Sequence, residues 1–189
     1  MYPVFPLNIV ILPNESVALH LFEPRYKELF QDCKDGGEFV IVHKGKNGLA
    51  KMGTLVFIEK VINEYPDDTV DLIVQGITTI EIEQFIDFFP NKLYSAVKGK
   101  RHELSNKACE KLKNRFFTYM ASIGKKISNP ERINLFYIAN RIELNLESKL
   151  ELISLTSNEA INKFLLHEIQ MMEKIQEQES WLQQKFHLN

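Results

Sequence analysis

His167 and Glu168 stand side by side in a stretch rich in helix formers, and a helical His-Glu pair can place a zinc ligand beside a general base. That chemistry needs a second histidine one helical turn on, four positions after the first, and Met171 stands there. His20 and His43 lie on or beside apolar runs, where a hydrogen-bonded structural histidine is the ordinary reading. Cys33 and Cys109 have no cysteine near them, which argues against a zinc ribbon, a redox CxxC or a disulfide framework and favours two reduced thiols used as small core residues. Gly45, Gly48 and Gly53 would cradle a phosphate only in a P-loop with a lysine after its last glycine; Leu49 follows Gly48, so a hairpin turn is expected instead. No GxSxG elbow is present, and spacing alone brings no nucleophile, base and orienting carboxylate together. Neither a metal nor a cofactor is expected, and catalysis by this chain would be a surprise.

Binding chemistry is better represented. Glu23, Arg25 and Tyr26 put a carboxylate, a guanidinium and a phenol beside one helix start, where they could hold the charged and apolar groups of a peptide. Each also has a structural reading: Glu23 accepting backbone N–H groups at the helix start, Arg25 paired with a neighbouring carboxylate, Tyr26 on the helix's apolar stripe. Phe22 is then the better contact for a bound peptide, because exposed apolar patches mark interaction sites. A second feature is positive charge gathered at Lys98, Lys100, Arg101, Lys107, Lys111, Lys113 and Arg115, with 107, 111 and 115 on one expected helix face. Such a strip could neutralise phosphates, which makes RNA binding the alternative function. Aromatic residues are not interleaved with it as base-stacking platforms would be, so a solvated helix face is the ordinary explanation.

These residues need elements to position them. The chain has 189 residues, 44% hydrophobic and 25% charged, enough to build a folded core and far from a disordered composition. Its net charge of −2 implies no whole-protein attraction for polyanions. The N-terminus is interrupted by Pro3, Pro6 and Pro13 and has no basic start, so it does not read as a signal peptide, and no apolar run approaches the roughly 20 residues that span a bilayer; a cytoplasmic setting is expected, without membrane contact.

Up to about Arg101 the pattern is β-rich: runs over 4–12, 39–43, 53–63, 70–75, 78–84 and 93–99 are bounded by turn residues. Tyr65-Pro66-Asp67-Asp68 reads as a tight turn. One helix interrupts these runs, started by Pro24, carrying Tyr26, Leu29, Phe30 and Cys33 on one face and ended by Gly36-Gly37. After Leu104 the period becomes helical. A helix over 105–123 shows the stripe Ala108, Leu112, Phe116, Met120 and Ile123; a second starts at Asn129-Pro130; a short third covers 150–155. Thr156-Ser157-Asn158-Glu159 reads as a capping box opening a long last helix. The expected domains are 1–103, a small β-barrel, and 104–189, a helical bundle.

Phe5-Pro6-Leu7, Leu12-Pro13 and the run Leu19-His20-Leu21-Phe22-Glu23-Pro24-Arg25-Tyr26 together resemble the opening of LON substrate-binding domains, the peptide-recognition part of Lon-type proteases. Met52-Gly53-Thr54-Leu55, Gln75-Gly76 and Tyr94-Ser95-Ala96 are similar to later strand motifs of that family, and Lys149-Leu150-Glu151-Leu152-Ile153 with Leu165-Leu166 to its helical half. The sequence departs from the family after Gly76, where Ile77-Thr78-Thr79 replaces an arginine and an aromatic.

The resemblance implies an α+β fold, a PUA-like β pseudo-barrel followed by a helical bundle with a long last helix. It implies a non-catalytic module that binds unfolded or extended, apolar polypeptide segments and hands them to a protease or chaperone. The ATPase P-loop and the Ser–Lys protease module of such proteases have no counterpart in the sequence. Past the polar run Gln176 to Ser180, the residues Trp181, Leu182 and Phe186 need some partner, and a homodimer contact through the last helix is a further expectation.

Overall fold

The protein was analysed as a computed structural model, which describes residues 1–46, 48–102, 105–127 and 130–186, with side chains described up to 179 and at Trp181. In chain order the elements are β1 (Tyr2–Leu7), β2 (Ser16–Leu21), α1 (Pro24–Cys33), β3 (Glu38–Gly45), β4 (Gly48–Glu64), β5 (Val70–Ile86), β6 (Ala96–Arg101), α2 (Glu110–Ser122), a 3-10 turn (Pro130–Arg132), α3 (Leu135–Ala139), α4 (Leu146–Ser154) and α5 (Asn158–Phe186). They form two compact units, one of Met1–Glu103 with Asn145–Ser154, the other of Leu104–Leu144 with Leu155–Asn189.

The first unit is a barrel with one strand outside it. The six strands run β2-β5-β4-β3-β1-β6, and β6 also pairs β5, so β5, β4, β3, β1 and β6 close a ring. Closure works because β5 is long and changes neighbour midway: Val70 to Gln75 pair with β2, and Ile80 to Ile86 with β6. Two expected strands, 70–75 and 78–84, are therefore one continuous strand through Gly76. A β-carbon at 76 would lie 2.2 Å from the Leu12 carbonyl oxygen, so only glycine lets the Leu12-Pro13 turn cross β5 here. In that turn the Glu15 N–H donates to Leu12 O at 3.0 Å and Asn14 takes φ 62° after Pro13, the arrangement that Pro then Asn favours. Thr54 ties the same segment down by donating its hydroxyl to Ile11 O at 2.5 Å in the core. Three separate sequence motifs thus meet at one crossing.

Helix α1 fulfils its pattern. Pro24 opens it, Tyr26, Leu29, Phe30 and Cys33 are buried, and Gly36 at φ 98° carries the chain out while the Gly37 N–H bonds Cys33 O. Its buried face packs with Phe5, Ile11, Leu21, Phe39, Leu72 and Val74. Burial pushes the Cys33 thiol up to about 11, away from reactivity. The expected turn at 65–68 also forms: the Asp68 N–H donates to Tyr65 O at 3.0 Å.

The single cut expected at 103/104 differs from the two units seen, because α4 groups with the barrel. Leu152 and Ile153 are buried, and the Lys149 ammonium meets Glu15 at 2.5 Å, a carboxylate that also accepts the Leu12 N–H at 2.8 Å. α4 also begins four residues earlier than the helix expected over 150–155.

In the second unit α2 buries Leu112, Phe116 and Met120, and α5 buries Ile161, Leu165 and Ile169. Several local expectations need correction. The residues before Glu110 are not helical: the Cys109 N–H is taken by Asn162 Oδ1 at 2.7 Å, and Asn106 turns to φ 51° so that its side-chain oxygen accepts from the Phe136 N–H at 3.2 Å. Lys107 consequently shares no helix face with Lys111 and Arg115. Cys109 is exposed rather than a core residue. Asn129, the expected cap, lies outside the described residues; Asn134 caps α3, accepting the Tyr137 N–H at 2.8 Å. α5 is capped by Ser157, one residue later than the expected box, whose hydroxyl accepts from the Ala160 N–H at 3.2 Å while Glu159 pairs with Lys163. Among the described residues no helix is long and apolar enough to cross a membrane.

Candidate functional site

β2 was not expected as a strand, although Ser16-Val17-Ala18-Leu19-His20-Leu21 alternates with period two. Among the described residues it pairs only with β5, and no backbone hydrogen bond reaches its other edge. The direction of its free groups follows from one bond. Gly76 N–H donates to Glu15 O at 2.9 Å, so in this antiparallel ladder Glu15, Val17, Leu19 and Leu21 face β5, and the N–H and C=O groups of Ser16, Ala18 and His20 point outward. Neither lysine nor proline, the usual blocks on an open edge, occurs in β2. On one side of the sheet Val17 and Leu19 are half-buried against the core; on the other, Ser16, Ala18 and His20 are exposed.

Phe22, the aromatic expected to contact a peptide, continues this edge and is 62% exposed. The other three selected residues have different surroundings. Arg25 donates to Glu23 at 2.8 Å and lies 4.6 Å above the Tyr26 ring. Tyr26 is buried, its ring 3.8 Å from that of Phe5, and burial raises its hydroxyl above the ordinary value. Of its two expected readings Tyr26 follows the structural one: it lies on the buried stripe of α1 and is not a surface contact for a peptide. Glu23 caps α1 through its backbone oxygen, which accepts from Tyr26 and Lys27, and not through its carboxylate. Glu23, Arg25 and Tyr26 together fix the chain just after Phe22.

Three residues that the sequence did not single out for binding complete the corner. Asp71 lies opposite His20 in the β2–β5 ladder and 2.6 Å from its Nδ1. Tyr65, at the β4–β5 turn, donates its hydroxyl to the other Asp71 oxygen at 2.6 Å. The Tyr65 hydroxyl first, and His20 second, hold the Asp71 carboxyl below the usual carboxylate range. The His20 ring stacks 6.0 Å from Phe22 and meets Tyr65 edge-on at 6.4 Å. Lys27 donates to the backbone oxygen of Asp67 at 2.5 Å, which fixes the turn beside them. The signal for this cluster lay in cross-strand pairing, with 51 residues between His20 and Asp71.

The basic strip is partly spent on ion pairs: Arg101 with Glu38, Lys113 with Glu110 at 2.9 Å, and Arg115 with Glu173. In the second unit α2 and α5 border a groove of about 330 Å³ lined by Tyr119, Ile123, Met172 and Ile175. Trp181 is exposed, and the side chains of Leu182 and Phe186, expected at a homodimer contact, lie outside the described residues.

The fold is that of two solved structures. A Lon N-terminal domain protein from Xanthomonas campestris superposes with TM-score 0.66 at 20% identity, covering 88% of this chain and 95% of that one. The N-terminal domain of a Mycobacterium avium complex Lon protease gives TM-score 0.68 at 14% identity, with 89% and 97% coverage. Comparison with curated protein sequences finds no match. The family model of the ATP-dependent protease La (LON) substrate-binding domain matches residues 1–185, and the chain therefore belongs to that family.

Proposed function

We propose that this protein binds unfolded, extended polypeptide segments and performs no chemistry on them, with the segment adding as a strand to the outer edge of β2. The observation that carries this reading is the edge itself: outward backbone groups at Ser16, Ala18 and His20, without lysine or proline to block them, running into exposed Phe22. Main-chain hydrogen bonds then supply affinity that is indifferent to sequence, and half-buried Val17 and Leu19 accept apolar side chains at alternate positions. Membership of a substrate-binding family supports a role in passing such segments to a protease or chaperone.

The test is a titration of labelled, unstructured apolar peptides followed by anisotropy. Wild-type protein should show saturable binding, and Ala18→Pro should weaken it at least tenfold. Proline on an edge strand with its nitrogen facing outward leaves the ladder to β5 intact but removes the N–H that β2 would donate to the added strand. The absence of saturable binding below about 1 mM, where the interaction would be worth only about 4 kcal/mol, would overturn the proposal. Incubation of the purified protein with casein should yield no fragments.

A further inference from the structure

The corner at the end of β2 has a chemistry of its own. Asp71 is held by Tyr65 and His20, each at 2.6 Å, and by the side chain of Asn63 opposite it on β4, but a tyrosine and an amide are neutral and a histidine is charged only when protonated, so no partner supplies a permanent positive charge. Each carboxylate oxygen can accept more than one hydrogen bond, which leaves Asp71 capacity to accept another donor. Around it stand the faces and edges of His20, Phe22 and Tyr65, of which Phe22 is 62% and Tyr65 42% exposed. The local charge is negative: Glu64, Asp67, Asp68 and Glu23 lie on the adjoining strand end, turn and helix start. The basic groups there are already engaged, Arg25 by Glu23 and Lys27 by the Asp67 carbonyl. A carboxylate only partly covered and walled by aromatic rings suits an ammonium or guanidinium group, which gains a charge-assisted hydrogen bond and ring contact together.

Resting on the strand-addition reading, we infer that this corner selects a lysine or arginine side chain in the bound segment, at the position opposite His20. Side chains of directly opposed residues lie on the same side of a sheet, so that position delivers its side chain beside Asp71, Phe22 and Tyr65. The neighbouring positions of the segment face Leu19 and Leu21 and take apolar side chains. The preferred ligand is thus an extended apolar–basic–apolar stretch, a narrower class than any unfolded chain.

Three peptides with one apolar framework, carrying Lys, Gln or Glu at a single central position, separate this inference from the reading beneath it. With the full chain at low salt, the Lys peptide should bind roughly tenfold tighter than the Gln peptide and the Glu peptide more weakly than both, with the spread shrinking as salt is added. Asp71→Asn should bring the Lys-to-Gln ratio towards one, and Phe22→Ala should reduce it. Equal affinities for the three peptides, or an unchanged ratio in Asp71→Asn, would overturn the basic preference while saturable binding sensitive to Ala18→Pro left strand addition standing. If no peptide binds, strand addition falls and the basic preference with it.

Discussion

Asp32 and Asp71 have the same kind of neighbours in different surroundings. Each accepts a tyrosine hydroxyl and lies beside a basic side chain: Tyr94 and Lys92 at 2.5 Å for Asp32, Tyr65 and His20 at 2.6 Å for Asp71. At Asp32 the ring of Tyr94 is buried in the core beside Phe89, and the resident lysine neutralises the carboxylate. The adjoining Glu28 takes the Leu93 N–H at 2.8 Å, so the segment between β5 and β6 is bound to α1 through several contacts. At Asp71 the tyrosine and histidine are exposed, the further donor is the neutral Asn63 amide, and among the described residues no lysine or arginine pairs with the carboxylate. The comparison teaches that burial of the ring and charge balance at the carboxylate decide whether a tyrosine–aspartate pair acts as structure or remains available to a ligand.

The largest expected effect is on the structural side. Tyr94→Ala removes a core ring and the Asp32 hydroxyl partner together and should cost about 3–5 kcal/mol in denaturant unfolding. Asp32→Asn keeps the shape but removes the charged acceptor from Tyr94 and Lys92, and a loss of about 1–2 kcal/mol is expected. A loss below about 0.5 kcal/mol for Tyr94→Ala would erase the contrast with the β2 corner.

Acid provides an intermediate test. The hydrogen bonds from Lys92 and Tyr94 hold the Asp32 carboxyl below its ordinary value. A group depressed in the folded state adds stability that is fully present above the ordinary carboxylate value near 4 and is lost as pH falls through the lower folded value. The stability gap between wild type and Asp32→Asn, measured by urea unfolding, should therefore be constant from pH 7 to about pH 5 and narrow towards pH 2. A gap that widened on acidification would contradict this assignment.

Much of the fold was legible because the signals are local. Pro24 and Gly36 bound α1, the stripe Tyr26, Leu29, Phe30 and Cys33 gives its buried face, and Pro66 with Asp67 gives the turn before β5. The site was half legible. Phe22 is legible as an aromatic beside a motif, but a strand's own alternation does not tell an edge from a centre, so the open edge of β2 is not legible. Asp71 and Tyr65 become neighbours of His20 only through the register of β2 on β5, a non-local pairing. The same limit explains α4. Its apolar pattern suits a bundle, and its place in the barrel unit comes from non-local contacts such as the Lys149–Glu15 pair, 134 residues apart in sequence.

The smallest expected effect discriminates most sharply. If the β2 corner serves a ligand and not the fold, Asp71→Asn and Tyr65→Ala should leave the melting temperature within about 2 °C of wild type, because surface changes away from caps and core rarely do more. Asp71 loses little as an asparagine, since the ladder bonds of β5 are made by backbone, and Tyr65 is held at its turn by its own N–H on Thr69 O at 2.9 Å whatever its side chain. The same two proteins should nonetheless differ from wild type in their choice between Lys and Gln peptides. A drop of 5 °C or more for either substitution would place this cluster with the Asp32 contacts as a structural device, and selectivity would then have to come from Phe22 and the strand edge alone.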